Sequence, residues 1–254
     1  MADILDNKNR YGCITSSQSY LIMGAPKPKA TYLEKLRFER KLKRSVDLGK
    51  STNSTNWGLF LEQFVHKALS IEYITDAQTT INHPFIPYWK GSPDTTAPSL
   101  NVVADIKCFE PLNFCQYLDC LERTKESNDL EIFKKEFSKE FWQLISNSIL
   151  TKMSKIQVIL YMPYEKDMED IRNEAAAYDD YDAYKYRFIY ELPNNKLACL
   201  PDDSEYKDLN IFTFDNIESY QKELTNAVLE CGKLIGADPI EVDSAHSHLV
   251  VEVS

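Results

Sequence analysis

Two short segments rich in β-branched residues lie on either side of a long stretch with helical periodicity. The first is LNVVADIKC at residues 100–108 and the second is IQVILYMP at residues 156–163. Short β-branched segments that end at a turn or a proline are typical of strands. Between them, apolar residues from Leu130 to Ile149 keep helical spacing through about six turns, after capping candidates at residues 127–129. This order predicts that strands and long helices share one α/β unit.

Further segments complete the predicted architecture. Residues 57–69 (WGLFLEQFVHKAL) have apolar side chains at the i, i+3, i+4, i+7 spacing of an amphipathic core helix. Residues 186–192 (YRFIYEL) predict a further strand, residues 215–235 predict a last helix, and residues 112–140 have room for an added helix. We therefore expect an α/β fold in which a mixed central sheet is flanked by helices.

The chain is expected to form a single domain over residues 1–254. Its 254 residues and 43% hydrophobic content are enough for a substantial core, and no long linker or internal repeat divides them. Within this domain we expect a basic N-terminal helical segment at 27–50, a core at about 57–163, and C-terminal strand and helix additions at 186–236.

Composition and motifs exclude several classes of protein. The N-terminal MADILDNKNR lacks the apolar core of a secretory signal, and no apolar run approaches the roughly 18 residues of a membrane span. We therefore expect a cytoplasmic protein with no membrane partner. Six scattered cysteines without a CxxC pair predict reduced thiols. No GxGxxG or GxxxxGK[ST] occurs, which argues against ATP- and NAD-dependent enzymes.

Charge is distributed unevenly along the chain. Overall, 29 basic and 39 acidic residues give a net charge of −10, which argues against a protein that coats nucleic acid by global attraction. Residues 165–182 hold eight acidic and two basic residues, and they are most simply a solvated loop or short helix. Residues 27–50, with nine basic and three acidic residues, predict either a surface for a polyanion or a solvated helical face. The candidate binding residues there are Lys35, Arg37, Arg40, Lys41, Lys43 and Arg44.

The segment GSPDTTAPSLNVVADIKC holds the residues most suited to catalysis. Asp105 and Lys107 are two residues apart on a predicted strand, so their side chains leave the same face, and Asp94 ends the turn-rich stretch before it. Two carboxylates are oxygen ligands that suit Mg²⁺ or Mn²⁺, and the carbonyl of Ile106 is a further candidate ligand. The alternative is an exposed strand face with a surface ion pair. Burial of the pair for stability alone would carry a desolvation penalty, which favours a functional site.

Glu62 is the second element of the candidate site. It lies at the margin of the apolar face of the predicted helix 57–69, so its carboxylate could join those of Asp94 and Asp105 in an acidic cluster. An ordinary solvated glutamate is the alternative. His66 follows four residues later and is either a member of the cluster or a hydrogen-bonded surface group.

These motifs carry a family resemblance. The segments GLFLEQFVHKAL, SPD, DIK and WQLISN, in this order before an apolar strand, resemble the PD-(D/E)XK nuclease superfamily, specifically its phage lambda exonuclease or YqaJ-type viral recombinase group. The early segments SSQSYLIMG and KATYLEKLRFERK are similar to the N-terminal part of phage members of that group. The resemblance covers about residues 14–163, and it implies a restriction-endonuclease-like core.

The resemblance assigns roles to five residues. By position, Glu62 matches the helical glutamate of the family, Asp94 the metal-binding aspartate and Asp105 the second acidic residue. Lys107 matches the catalytic lysine, and Gln143 resembles the glutamine of the following helix, which contacts the site or the DNA backbone. The alternative for Gln143 is a solvated polar helix face that it shares with Glu140 and Asn147. Asp105 stands where glutamate is commoner. The cysteine spacing does not match the iron–sulfur branch of the superfamily.

The implied function is a Mg²⁺- or Mn²⁺-dependent DNA exonuclease of phage recombination type. It would digest linear double-stranded DNA from 5′ to 3′ in the cytoplasm of a bacterial or phage-infected host cell. Such exonucleases form rings around the duplex and work with a single-strand annealing protein. Two alternatives stay open from the sequence: an endonuclease on the same core, and a catalytically silent DNA- or protein-binding phage module.

Overall fold

The computed structural model describes residues 10–47, 51–74 and 79–237, with only the backbone described at 180–182. The expectations for the N-terminal sequence, for Lys50 and for the chain after residue 237 lie outside the described residues. The single-domain expectation over residues 1–254 therefore reaches beyond the described part at both ends.

The chain combines helices and strands, as the sequence predicts. The described helices are α1 (Ser19–Met23), α2 (Pro26–Leu42), α3 (Asn53–Ala68), α4 (Pro111–Ser127), α5 (Leu130–Glu136), α6 (Ser138–Thr151), α7 (Met168–Ala176), α8 (Asp180–Glu191) and α9 (Glu218–Leu234). The described strands are β1 (Ile14–Thr15), β2 (Ile81–Asn82), β3 (Trp89–Gly91), β4 (Thr95–Ala97), β5 (Val102–Lys107), β6 (Lys155–Tyr161) and β7 (Leu209–Phe214).

The central sheet is mixed, as the sequence predicts. Its strand order is β4-β5-β6-β7, in which β5 and β6 are parallel and the two outer pairs are antiparallel. The crossover from β5 to β6 contains α4, α5 and α6, because parallel neighbours require a long connection. A smaller sheet has the order β1-β3-β2.

The central strands are buried by helices. Ile156, Val158, Ile159 and Leu160 of β6 have no solvent exposure, which explains why this strand is apolar at nearly every position. Helix α6 packs against β5 and β6 and places Phe141, Leu144 and Ile145 in the core. The fold thus holds β5, which contains Asp105 and Lys107, between a helix and neighbouring strands.

The strand predicted at residues 186–192 is wrong, because this segment belongs to helix α8. Its buried residues are Tyr186 and Ile189, three positions apart, whereas Tyr184 and Tyr190 are exposed. Short aromatic segments fit either periodicity, and here the packing of Tyr186 against Phe60 of α3 favours the helix. The strand that completes the central sheet is β7 instead.

The long helix predicted from Leu130 to Ile149 is two helices. The backbone of Phe137 leaves the helical region, with φ −128° and ψ 56°, and separates α5 from α6. Its ring packs edge-on against Tyr117 of α4, with 4.5 Å between the ring centroids. This contact with the added helix α4, which the sequence predicted, accounts for the break.

Two smaller expectations concern the cysteines and the membrane. All six cysteines are free thiols, as predicted. In the part of the chain that the structure describes, no helix combines the length and apolarity that a membrane crossing needs.

Candidate active site

The strand register places Asp94 beside Asp105. Strands β4 and β5 pair antiparallel with Thr95 opposite Ala104, so Asp94, which immediately precedes β4, lies near Asp105 at the end of the ladder. Oδ2 of Asp94 accepts a hydrogen bond of 2.7 Å from the backbone N–H of Ile106. The charge of Asp105 acts on Asp94, and like charges close together are destabilising, so this pair opposes stability unless a cation accompanies it.

Asp105 is the centre of the candidate site. Its side chain has no solvent exposure, and its Oδ1 accepts a 2.7 Å hydrogen bond from Nε2 of Gln143 on α6. Nζ of Lys107 lies 2.5 Å from Oδ2 of Asp105, and the Lys107 side chain is 17% exposed. Oδ2 is buried and has no partner with hydrogen-bond geometry among the described residues, so Lys107 is an ion-pair partner rather than an aligned donor. The alternative from the sequence was that Asp105 and Lys107 form an ion pair on an exposed strand face. Their burial shows that this alternative is wrong.

Glu62 approaches the same site from α3. The side chain of Thr52 caps this helix by accepting a hydrogen bond from the N–H of Thr55. Glu62 is partly buried, and its carboxylate lies close enough to Lys107 and Asp105 to feel both charges. His66, one turn later, is half-buried, and burial lowers its pKa.

The pKa shifts show that these groups act on one another. Burial raises the pKa of Glu62 to about 7, and Asp105 contributes to the rise. The pKa of Asp94 lies well above its ordinary value because of burial and then of Asp105 and Glu62. Burial alone would lower the pKa of Lys107, but the carboxylates of Asp105 and Asp94 outweigh burial and raise it. Lys107 therefore stays protonated beside several carboxylates that act on it.

The donor atoms are of the type that a hard divalent cation prefers, but the side chains are not arranged around a common metal position. Within the described ranges, no three histidine, cysteine, aspartate or glutamate side chains stand in position to hold a metal ion. Asp94 is bonded to Ile106, and Asp105 is bonded to Gln143 and paired with Lys107. The donors are nevertheless all oxygens, and Oδ2 of Asp105 is a buried acceptor that lacks a hydrogen bond from the described residues. Oxygen donors of this kind are the ligands that Mg²⁺ and Mn²⁺ prefer.

The polar face of α6 is less solvated than its sequence suggests. Gln143 is partly buried, and Asn147, one turn later, has no solvent exposure. Glu140, one turn before Gln143, contributes to the raised pKa of Lys107. Glu140 was visible in the sequence only as a neighbour of Gln143 on the same helix face.

The six basic candidates on and after α2 divide into two groups. Lys35 is ion-paired with Asp47, and Nη1 of Arg40 donates a 3.3 Å hydrogen bond to the carbonyl of Gly12. These two side chains have structural partners. The exposed members of the set are Arg37, Lys41, Lys43 and Arg44.

Helix α2 is joined to the candidate site through the segment before β1. Gly12 has φ +64°, and a Cβ there would lie 2.3 Å from Cγ of Arg40, so a glycine is needed for this close approach. The N–H of Gly12 donates to the buried carboxylate of Glu39 at 2.9 Å. Two residues earlier, Arg10 donates to Ser92, which precedes Asp94 by two positions. The basic helix is thus connected to the loop that positions Asp94.

Lys185 of α8 is a second basic residue near the cluster. Its charge lowers the pKa of Glu62 and opposes the effect of burial. The sequence did not indicate it, because residues 186–192 were interpreted as a strand, and a helix at 180–191 is needed to bring this lysine to α3.

Metal-free stability should fall as pH rises through the titration of Glu62. The folded pKa of about 7 exceeds the ordinary value of 4.5, so the folded state holds the extra proton and its advantage is lost between pH 4.5 and 7. We expect the unfolding free energy to fall by roughly 1–3 kcal/mol over this window. In Glu62→Gln most of this fall should be absent. Thermal and urea unfolding in EDTA at pH 5 and pH 8 measure the difference. An unchanged pH dependence in Glu62→Gln would contradict the burial of this carboxylate among like charges.

Among the comparisons with known proteins, similarity is found to solved structures and not to family models or curated sequences. No family model and no curated protein matches the sequence. The alkaline exonuclease LHK-Exo of Laribacter hongkongensis matches with a TM-score of 0.60 at 14% identity, over 99% of this chain and 100% of that one. LHK-Exo in complex with dAMP matches with a TM-score of 0.54 at 16% identity, over 92% and 94% of the two chains. A phage related exonuclease from Haemophilus somnus 129PT matches with a TM-score of 0.50 at 14% identity, over 95% and 96%. The chain thus has the mixed α/β, restriction-endonuclease-like fold of these exonucleases.

Proposed function

We propose that this chain is a divalent-metal-dependent deoxyribonuclease, and specifically an exonuclease that digests linear double-stranded DNA from 5′ to 3′. The observation that carries the proposal is the crowding of Glu62, Asp94 and Asp105 around the ammonium of Lys107 at the end of β5. Buried charges assembled at such a cost in stability are typical of functional sites. The likeness of the fold to exonucleases supports the choice of reaction.

The proposed cofactor is Mg²⁺ or Mn²⁺. Glu62, Asp94, Asp105 and the carbonyl oxygen of Ile106 would hold it. A bound cation would supply Lewis-acid polarisation of a phosphate oxygen and offset the charge of the carboxylates. Its binding is measurable without catalysis, since we expect Mg²⁺ to raise the melting temperature of wild-type protein and to raise that of Asp94→Asn much less.

The residues of the chain have separate roles in the proposed reaction. Lys107 moves its ammonium from Asp105 to the scissile phosphate and stabilises the negative charge that develops there. Its raised pKa favours this role over proton abstraction. Gln143 holds Oδ1 of Asp105 and fixes the orientation of that carboxylate. The site then presents a cation and an ordered carboxylate to the bond that breaks.

The proposed substrate is the DNA duplex, although the protein is acidic overall. Arg37, Lys41, Lys43 and Arg44 form a local exposed basic surface, and nucleic-acid binding depends on the local field. The family resemblance extends the proposal to a ring of identical subunits around the duplex and to a single-strand annealing partner. Molecular mass in solution and capture of a purified annealing protein test these two extensions separately.

One assay separates the proposed activity from its rivals. The protein is incubated with 5′-phosphorylated linear duplex or with closed circular duplex, each with Mg²⁺ or EDTA. The proposal predicts Mg²⁺-dependent release of nucleotides from the linear duplex and an intact circle. Cleavage of the circle indicates an endonuclease, and no cleavage of either DNA indicates a catalytically silent module. Duplexes labelled at the 5′ or the 3′ end then give the direction.

Charge reversal on the exposed basic surface should weaken binding more than turnover. Lys41, Lys43 and Arg44 changed together to Glu should flatten the dependence of log Kd on log salt by roughly one unit per lost phosphate contact, equally for all DNA sequences. The matched control is Lys35→Ala, whose side chain already has Asp47 as its ion-pair partner. A wild-type salt slope in the triple variant would show that the surface is a solvated helical face.

A further inference from the structure

Helix α8 brings a second ammonium group to the edge of the acidic cluster. Lys185 is half-buried, and its charge acts on the carboxylate of Glu62. The segment that contains α8 follows β6, and the sequence motifs that resemble nucleases do not extend to it.

The backbone of Lys185 is fixed to the helix that contains Glu62. Nδ2 of Asn56 on α3 donates a 3.3 Å hydrogen bond to the carbonyl of Lys185. The next residue, Tyr186, is buried with its ring 5.0 Å from that of Phe60, one turn after Asn56. These contacts anchor α8 on α3, so the position of Lys185 relative to Glu62 is set by packing rather than by a mobile loop.

The side chain of Lys185 is also held. Its Nζ lies 5.0 Å from the ring centroid of Tyr186, within the range of a cation–π contact. Arg187, two residues later, has a different environment. It is exposed, and its Nε pairs with Glu191 of the same helix at 2.5 Å. The helix thus keeps one basic residue half-buried against Tyr186 and the other on its solvent face.

The net charge of the site indicates a role for Lys185 in binding DNA. The three carboxylates of the cluster, the ammonium of Lys107 and one divalent cation together have no net charge, and Glu140 adds a negative charge that acts on Lys107. Such a site would not attract the DNA backbone, whereas a further ammonium at its edge offsets the negative charge and offers donors to a phosphate. A lysine on the Glu62 side of the cluster can reach a phosphate that flanks the one attacked, because its three N–H donors need no fixed planar partner.

We propose that Lys185 binds a backbone phosphate adjacent to the scissile phosphate, and so holds the DNA strand in register with the cluster. This inference rests on the proposed nuclease function and deepens it. Lys185 is then a binding residue contributed by the helix after the core, and Lys107 alone acts at the bond that breaks.

The first test compares Lys185→Ala with Lys185→Arg and with the control Arg187→Ala. Binding of a 5′-phosphorylated duplex is followed by fluorescence anisotropy in EDTA, where no hydrolysis occurs, at several salt concentrations. We expect Lys185→Ala to weaken binding about tenfold at low salt and to lower the salt slope by about one phosphate contact. Lys185→Arg should recover most of the affinity, and Arg187→Ala should match wild type. Turnover at saturating DNA with Mg²⁺ should stay at the wild-type level in the control Arg187→Ala.

The second test changes the DNA. Single uncharged methylphosphonate linkages are placed in turn at each position around the cleavage site, and binding is measured for wild-type protein and for Lys185→Ala. One flanking linkage should weaken wild type about tenfold and leave Lys185→Ala unaffected, because the same contact cannot be lost twice. Equal weakening of both proteins at every linkage would overturn the inference.

The outcomes separate this inference from the proposed function. If wild-type protein hydrolyses DNA and Lys185→Ala binds with the wild-type salt slope, only the role of Lys185 is wrong. If Lys185→Ala loses turnover at saturating DNA without losing affinity, Lys185 acts in chemistry and the binding role is again overturned. If wild-type protein neither binds nor cleaves DNA, both the inference and the proposed function fail.

Discussion

Replacement of Lys107 by alanine is expected to slow the chemical step by roughly 100- to 10,000-fold while DNA binding stays close to that of wild type. The Lys107 side chain is 17% exposed and its ammonium lies 2.5 Å from Asp105, so the charge is held beside the carboxylates on a side chain that solvent still reaches. Its raised pKa keeps it charged at any pH at which the enzyme would work. Loss of this charge should therefore remove stabilisation that is needed mainly in the transition state. Single-turnover rates at saturating duplex, on protein shown to be folded, measure the effect.

Two variants sharpen the interpretation of Lys107→Ala. Lys107→Arg should restore little activity, because a planar guanidinium cannot reproduce a compact charge at this position. Lys67→Ala is the matched control, since Lys67 is an exposed lysine on α3 that pairs with Glu174 at 2.9 Å. Its loss should cost at most about 1 kcal/mol of stability and leave the rate unchanged. A Lys107→Ala rate within a few-fold of wild type would leave the site without a catalytic cation.

Asp94→Asn is expected to abolish metal-dependent hydrolysis, with a loss of roughly 1,000-fold or more, and to raise stability in EDTA. Asparagine keeps an oxygen that can accept the N–H of Ile106 and removes the charge that faces Asp105. Because burial and the nearby carboxylates raise the pKa of Asp94, the charged form destabilises the metal-free fold. The gain should be about 1 kcal/mol at pH 8.

Asp94→Ala separates the charge of Asp94 from its hydrogen bond. Alanine removes the charge but leaves the N–H of Ile106 without its acceptor, which costs about 1–3 kcal/mol when the group is buried. We therefore expect both variants to be inactive and only Asp94→Asn to be more stable than wild type. An Asp94→Asn protein that hydrolyses DNA with Mg²⁺ at the wild-type rate would contradict the assignment of this carboxylate.

The core of the site could be predicted because it depends on local geometry. Asp105 and Lys107 alternate correctly on a β-branched segment, which fixes them on one face of β5. Asp94 is brought near Asp105 because β4, which follows Asp94, is joined to β5 by a short connection and pairs antiparallel with it. The hydrogen bond between Gln143 and Asp105 is consistent with the helical spacing of α6, although the catalytic roles of all these residues stay predictions.

Other features depend on packing that a single sequence does not reveal. The helix at Asp180–Glu191 shows its periodicity only through the burial of Tyr186 and Ile189 against the rest of the fold. The basic residues after position 27 look equivalent in the sequence, yet Arg40 is engaged by Gly12, a distant residue. Lys185 was missed for the same reason, since its approach to Glu62 depends on the contact between α8 and α3.

The most direct test of the proposed site is hydrolysis of a 5′-phosphorylated linear duplex by wild-type protein and by Asp105→Asn, purified in parallel, with Mg²⁺ or with EDTA. Asp105 is the buried carboxylate that joins Gln143 and Lys107, so its charge is central to the arrangement. We predict release of nucleotides by wild type with Mg²⁺, none with EDTA, and none above background by Asp105→Asn under either condition. Equal release by Asp105→Asn and wild type, or release by wild type that persists in EDTA, would contradict a metal-dependent site at Glu62, Asp94 and Asp105.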